Sequence, residues 1–232
     1  MFFSGQVASS NTVGYQKLAL VEGFNWIAPQ FLAVGENPIN IQSIQLSFAD
    51  GCEAQGGDNI QILDADGVTI HSYAWMPGDW IGASSDGWAD ESGVGLADVT
   101  LDPGQSFLLS VEQAGTSILV AGEVASTDYV TTGVAGFNWV GNTTPSTINI
   151  QEILLDFGTG EAQGGDNIQI LDADGVTIHS YAWMPGDWIG ASSDGWADES
   201  GVGLADVTLD AGQGILLAIE TDGTTITVPS AL

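Results

Sequence analysis

The stretch EAQGGDNIQILDADGVTIHSYAWMPGDWIGASSDGWADESGVGLADVTLD, from Glu53 to Asp102, recurs without a change from Glu161 to Asp210. Self-similarity of this kind fixes the architecture before any local pattern is weighed, because each copy must fold to the same unit. Weaker matches extend the repeat on both sides. GFNW at Gly23 to Trp26 returns at Gly136 to Trp139, INIQSIQL at Ile39 to Leu46 returns as INIQEILL at Ile148 to Leu155, and TSILV at Thr116 to Val120 returns as TTITV at Thr224 to Val228. GQVASS at Gly5 to Ser10 matches GEVAST at Gly122 to Thr127. The expected organisation is an arm over residues 1–13, a first repeat over 14–121 and a second over 122–232.

Within a repeat, short runs of Val, Ile, Thr and aromatic residues alternate with Gly, Asp and Asn clusters, and no run has sustained helical spacing. Strands are predicted near 14–21, 24–33, 39–48, 59–63, 68–76, 98–101, 105–112 and 116–124, with equivalents in the second repeat. The fold class is all-β: two tandem antiparallel β-sandwich domains of Greek-key, jelly-roll-like form. With 44% hydrophobic residues the chain can fill two cores. A unit of roughly 110 residues buries about two thirds of its unfolded surface, so neither needs a disulfide. Cys52 has Gly160 as its counterpart and no intramolecular partner.

The hairpin Asn59 to Trp75 turns at Asp64-Ala65-Asp66-Gly67, where Asp opens the turn and Gly takes the left-handed position. Alternation along its second strand separates Val68, Ile70, Ser72 and Ala74, expected to face the core, from Thr69, His71, Tyr73 and Trp75. The second set is an aromatic face, repeated as Thr177, His179, Tyr181 and Trp183. It is read as covered by the loop that follows, as a subunit contact or as a glycan-binding surface. That loop, 77–97, carries Trp80 and Trp88 as candidate pins and a run of carboxylates.

Asp86, Asp90 and Glu91, with their copies Asp194, Asp198 and Glu199, are candidate oxygen ligands for Ca2+; a solvated acidic surface is the alternative. Asp64 and Asp66, with Asp172 and Asp174, form a second candidate group. Leu-Asp-Ala-Asp-Gly-Val departs at once from an EF-hand loop, so the hairpin turn is its better explanation. No other cofactor is expected.

The chain has 30 acidic residues against one basic residue, Lys17, for a net charge of −29. Binding to nucleic acid or to an anionic membrane surface needs Lys and Arg, so both are excluded as partners. No apolar run approaches the roughly 18 residues of a span, so membrane insertion is not expected. Intramolecular ion pairs are nearly excluded too, and dissolved cations are implied. The scarcity of basic residues leaves few sites for proteases that cut after them, which suits a secreted, cell-surface life. An acidic drift in a salty habitat explains the same composition. The start, Met1-Phe2-Phe3-Ser4-Gly5, lacks a basic n-region. Export therefore implies a signal removed or lying outside this chain.

Catalysis is not expected. His71 and His179 occupy one position in two copies, and no nucleophile is marked beside either. Two carboxylates suffice for glycoside hydrolysis, but every candidate here occurs twice, whereas most active sites lie in one pocket. Asn142-Thr143-Thr144 is an acceptor sequon in an expected turn.

VGYQKLALVEGFNWIAPQF, an INIQ strand, GDNIQILDADG, a Trp-bearing acidic loop and LDPGQSFLL follow one another in the first repeat. This order resembles the GY/GFN repeat domain of secreted surface proteins of the Planctomycetes and Verrucomicrobia group. Ala211 in place of Pro103 and Ile215 in place of Phe107 depart from it in the second repeat. The resemblance implies export and a β fold and carries over no residue roles.

The internal junction, Ile118 to Val120 running into Gly122 to Ser126, is imitated by the two ends of the chain, 226–232 and 1–9. Phe2, Phe3 and Val7 at one end, and Val228 and Leu232 at the other, are therefore candidate assembly residues. The partner is a second copy of the chain, joined head to tail in a contact that does not close on itself. The expected role is a structural subunit of an extracellular filament, tube or sheath. A cell-surface adhesin or carbohydrate-binding module is the alternative.

Overall fold

A computed structural model describes residues 13–33, 37–49, 52–53, 56–158 and 165–230. The protein is all-β, sandwich-like, and built of several antiparallel sheets. The first repeat supplies β1 (Val13–Ala19), β2 (Gly23–Ile27), β3 (Ile39–Asn40), β4 (Gln45–Ser47), β5 (Asn59–Leu63), β6 (Ile70–Met76), β7 (Gly87–Trp88), β8 (Thr100–Leu101), β9 (Phe107–Val111) and β10 (Ser117–Glu123). The second supplies β11 (Tyr129–Thr132), β12 (Gly136–Gly141), β13 (Ile148–Asn149), β14 (Leu154–Asp156), β15 (Asn167–Leu171), β16 (Ile178–Met184), β17 (Gly195–Trp196), β18 (Thr208–Leu209), β19 (Gly214–Ile219) and β20 (Thr225–Val228). Both copies fold alike. The sheets β2-β9-β5-β6-β7, β1-β10-β4 and β3-β8 recur as β12-β19-β15-β16-β17, β11-β20-β14 and β13-β18.

Each repeat has its own apolar cluster. The first includes Ile41, Ile60, Trp88, Phe107 and Ile118, and it takes in Val124, past the boundary expected at 121. The second includes Ile150, Ile168, Trp196, Ile215 and Ile226. Alternation produces these cores: in β9, Phe107, Leu109 and Val111 are buried while Leu108 and Ser110 are half-buried. The strand expected over 39–48 is broken by a 3-10 turn at Ile41–Ser43, where the Asn40 side chain accepts the Gln42 N–H. Two four-residue helices, α1 (Gly78–Ile81) and α2 (Gly186–Ile189), interrupt the long loops.

The facing of β6 is the reverse of the expectation. Val68 and Ile70 are 76% and 51% exposed, whereas Tyr73 and Trp75 are 8% and 5% exposed and belong to the core. Register decides this, because directly opposed residues of an antiparallel pair share a face. Tyr73 lies opposite Ile60 and His71 opposite Ile62, and β5 turns both isoleucines inward.

Candidate functional site

The carboxylates named as cation ligands serve mainly to cap turns. Asp66 Oδ1 accepts the N–H groups of Val68 and Thr69, and its Oδ2 accepts the Thr69 hydroxyl at 2.6 Å. Those donors, the hydroxyl first, hold its carboxyl below the ordinary carboxylate value, and Asp174 repeats the arrangement. Asp90 Oδ1 accepts the Ser92 hydroxyl and the N–H groups of Ser92 and Val94, which lower its pKa as well; Asp198 does the same. Asp86 accepts from the Gly78 N–H, and Asp194 from Gly186. Among the described residues no group of three or more His, Cys, Asp or Glu side chains is placed to hold a metal ion.

His71 ties the hairpin turn to the loop. Its Nδ1 is 2.6 Å from Glu91 Oε1 and its Nε2 is 3.7 Å from Asp64 Oδ2. The Glu91 hydrogen bond raises the imidazole pKa against an opposing effect of burial. His179, Glu199 and Asp172 repeat the clasp at 2.8 and 3.8 Å. Behind it, Trp88 pins the loop. It is fully buried, donates from Nε1 to the Ile44 carbonyl at 2.7 Å and meets Trp75 edge to face at 5.1 Å. Tyr73, Trp75, Tyr181 and Trp183 are thus core residues beneath the loop, and they offer no open aromatic surface. Trp80, the other candidate pin, is exposed.

The repeats meet along a seam whose contacts are reciprocal. Ile27 bridges to Gln213, and the equivalent pair, Val140 and Gln105, bridges likewise. Gly67 and Gly175 each lie against the partner repeat at a φ of 70°, and a Cβ at either would come within 2.9 Å of a carbonyl oxygen, that of Phe137 or Phe24. Glycine is required there twice over, for conformation and for space. Two equivalent pairs also meet each other: Trp26 with Trp139, and Ser106 with Gly214. Contacts in which each pair has its mirrored counterpart define an isologous, two-fold relation.

Two of the clefts along this seam are equivalent positions of the repeat. The same repeat-derived wall lines each, with Leu63 and Asp64 in one and Leu171 and Asp172 in the other. The opposite wall differs. The first cleft, about 340 Å³, has Tyr129, Thr131 and Thr132, whereas the second, about 220 Å³, has Leu18 and Ala19. Strand register makes these positions equivalent: Leu18 lies opposite Ile118 and Thr131 opposite Ile226. Gln105 braces the first wall, donating from Nε2 to the Leu63 carbonyl while its Oε1 accepts the Asp102 N–H, both at 3.1 Å.

Among the candidate assembly residues, Val228 is fully buried in the core of its own repeat, so its side chain is not presented to a neighbour. Phe2, Phe3, Val7 and Leu232 lie outside the described residues. Asn142 of the sequon is also buried, and its amide donates to the carbonyls of Ser146, Leu209 and Asp210. A folded chain therefore does not offer it to a glycosyl donor. Sequence reasoning missed the seam altogether. Its signal was the GFNW motif present in both copies, whose tryptophan ends on the axis between them. No family model, curated protein or solved structure matches the chain.

Proposed function

We propose that the chain is a non-catalytic structural subunit of an extracellular filament, tube or sheath, with further copies of itself as partner. The observation that carries this is a duplicated set of exposed apolar side chains, Trp80 and Val94 on one repeat and Trp188 and Val202 on the other. A body with two equal faces related by a two-fold can add a neighbour at each, and growth is not capped at a dimer. In this reading each repeat is a separate Greek-key, jelly-roll-like sandwich, and the apolar arm carrying Phe2, Phe3 and Val7 adds a head-to-tail contact by strand addition to an open sheet edge. The resemblance to bacterial surface proteins agrees with export.

At a net charge of −29 the partners repel one another, so Ca2+ or another divalent ion, high salt or low pH promotes contact. Negative-stain microscopy of the full chain in calcium-rich brine tests the proposal. Filaments are expected, and the double variant Trp80→Ala/Trp188→Ala, or removal of residues 1–9, reduces them to lone particles. Wild-type protein that stays a single particle, or filaments indifferent to both changes, overturns it.

A further inference from the structure

We propose that the seam cleft lined by His71 and Phe137 is a binding site for an uncharged saccharide. Its two walls come from different repeats. The first repeat gives His71, stacked on Tyr73 with ring centroids 6.5 Å apart, and the second gives Phe137, a residue 48% exposed. Half-open aromatic rings suit the apolar C–H faces of a pyranose. Asp64, Asp102 and Thr132 supply acceptors and a hydroxyl for its hydroxyl groups. A concave site of about 340 Å³, whose lining mixes aromatic and aliphatic side chains with polar groups in comparable measure, falls in the size range of small-ligand pockets.

Charge selects within that class. The carboxylates of Asp64 and Asp102 stand at the wall, and the chain's one Lys or Arg, Lys17, is not among the lining residues. A uronate, sulfate or phosphate entering the cleft would meet like charge with no Lys or Arg to offset it, and the one imidazole of the wall, His71, is already engaged by Glu91 and Asp64. An apolar ligand would strand the polar wall without hydrogen bonds. The site is also held in shape before a ligand arrives. Asp64 Oδ1 accepts the Ala65 N–H at 2.7 Å, and Gln105 fixes the backbone of Leu63 and Asp102. Such bracing lowers the ordering penalty on binding.

Duplication does not double the site. The second cleft keeps Asp172 and Phe24 but replaces the threonines with Leu18 and Ala19, and it is smaller. One saccharide per chain is expected, although fifty-residue blocks of the two repeats are identical. Binding here does not rest on polymerisation, and it is measured on dispersed protein in low-salt buffer without divalent ions.

Calorimetric titration of the full chain with neutral gluco-, manno- and galacto-oligosaccharides, each beside a uronate oligomer of equal length, tests the assignment. Neutral sugars are expected to bind at one per chain and uronates not at all. Phe137→Ala and the milder Thr132→Val each weaken binding at least about tenfold, while Phe24→Ala in the second cleft leaves it unchanged. Circular dichroism confirms the fold of each variant. No neutral sugar bound at about 10 mM by folded protein, two sugars per chain, or binding indifferent to both first-cleft variants overturns the assignment.

Discussion

Trp26 and Trp139 meet edge to face across the seam, ring centroids 5.5 Å apart and planes at 80°. They are the same residue of two copies, so the contact lies on the axis that relates the repeats. A duplicated unit that pairs with itself in this way occupies its self-complementary surface inside the chain. Any further assembly must then use other surfaces, which is why the exposed Trp80 and Trp188 matter.

Trp139 is 8% exposed and sits at the middle of that contact. Truncating a buried tryptophan to alanine costs about 3 kcal/mol or more. Trp139→Ala should lose about that much in guanidinium unfolding, while Trp80→Ala should change stability by less than about 0.5 kcal/mol. Equal midpoints for Trp139→Ala and the parent chain would show that the seam contributes nothing.

Trp88 holds the 77–97 loop from beneath, through its packing on Trp75 and its bond to the Ile44 carbonyl. Trp88→Ala should cost about 4 kcal/mol and expose the loop to chymotrypsin. Trp88→Phe keeps most of the packing but leaves the Ile44 oxygen without its donor, for a loss of about 1–3 kcal/mol. The matching substitutions at Trp196, which donates to Ile153 at 2.9 Å, should behave alike. Divergent results from the two repeats would refute their equivalence.

The clasp sets a pH dependence. The folded pKa of His71 and His179 lies above the ordinary 6.5, so their stabilising contribution is complete below pH 6.5 and fades as pH rises through the folded value. Asp66 and Asp90 act oppositely: their folded pKa lies below 3.8, so their contribution is present above 3.8 and lost as pH falls through the folded value. The melting temperature should therefore be highest between these limits. In proton NMR both imidazoles should titrate above 6.5, and Glu91→Gln or Glu199→Gln should move the corresponding one down. Imidazoles that titrate at or below 6.5 in the parent chain would remove the clasp.

Asn142 should remain unmodified in folded protein secreted from a glycosylating host, read by intact mass. Asn142→Ala should destabilise by about 2 kcal/mol, because three backbone carbonyls lose a buried donor. A glycan on Asn142 in protein with native circular dichroism would contradict its burial.

The duplicated block, the all-β class and the hairpin over β5 and β6 were legible in the sequence, because they depend on local composition and on the turn chemistry of Asp64-Ala65-Asp66-Gly67. Local alternation says that two faces differ, and it does not say which is buried. Tyr73 and Trp75 became core residues only through the register that sets Tyr73 opposite Ile60 and the Trp88 that closes over them. Likewise Asp86 and Asp90 read as candidate ligands in the linear chain, and the folded loop turns Oδ1 of each onto backbone N–H groups close in sequence, that of Gly78 for one and those of Ser92 and Val94 for the other. The seam lay furthest from view. Its contacts join Gly67 to Phe137 and Gln105 to Val140, residues far apart in the chain that no local pattern relates. The sequence determined what each repeat is, since propensity and turn chemistry act over a few residues. How the two copies face each other, and what cleft lies between them, was decided by tertiary packing, because burial is a property of surfaces that exist only after both have folded.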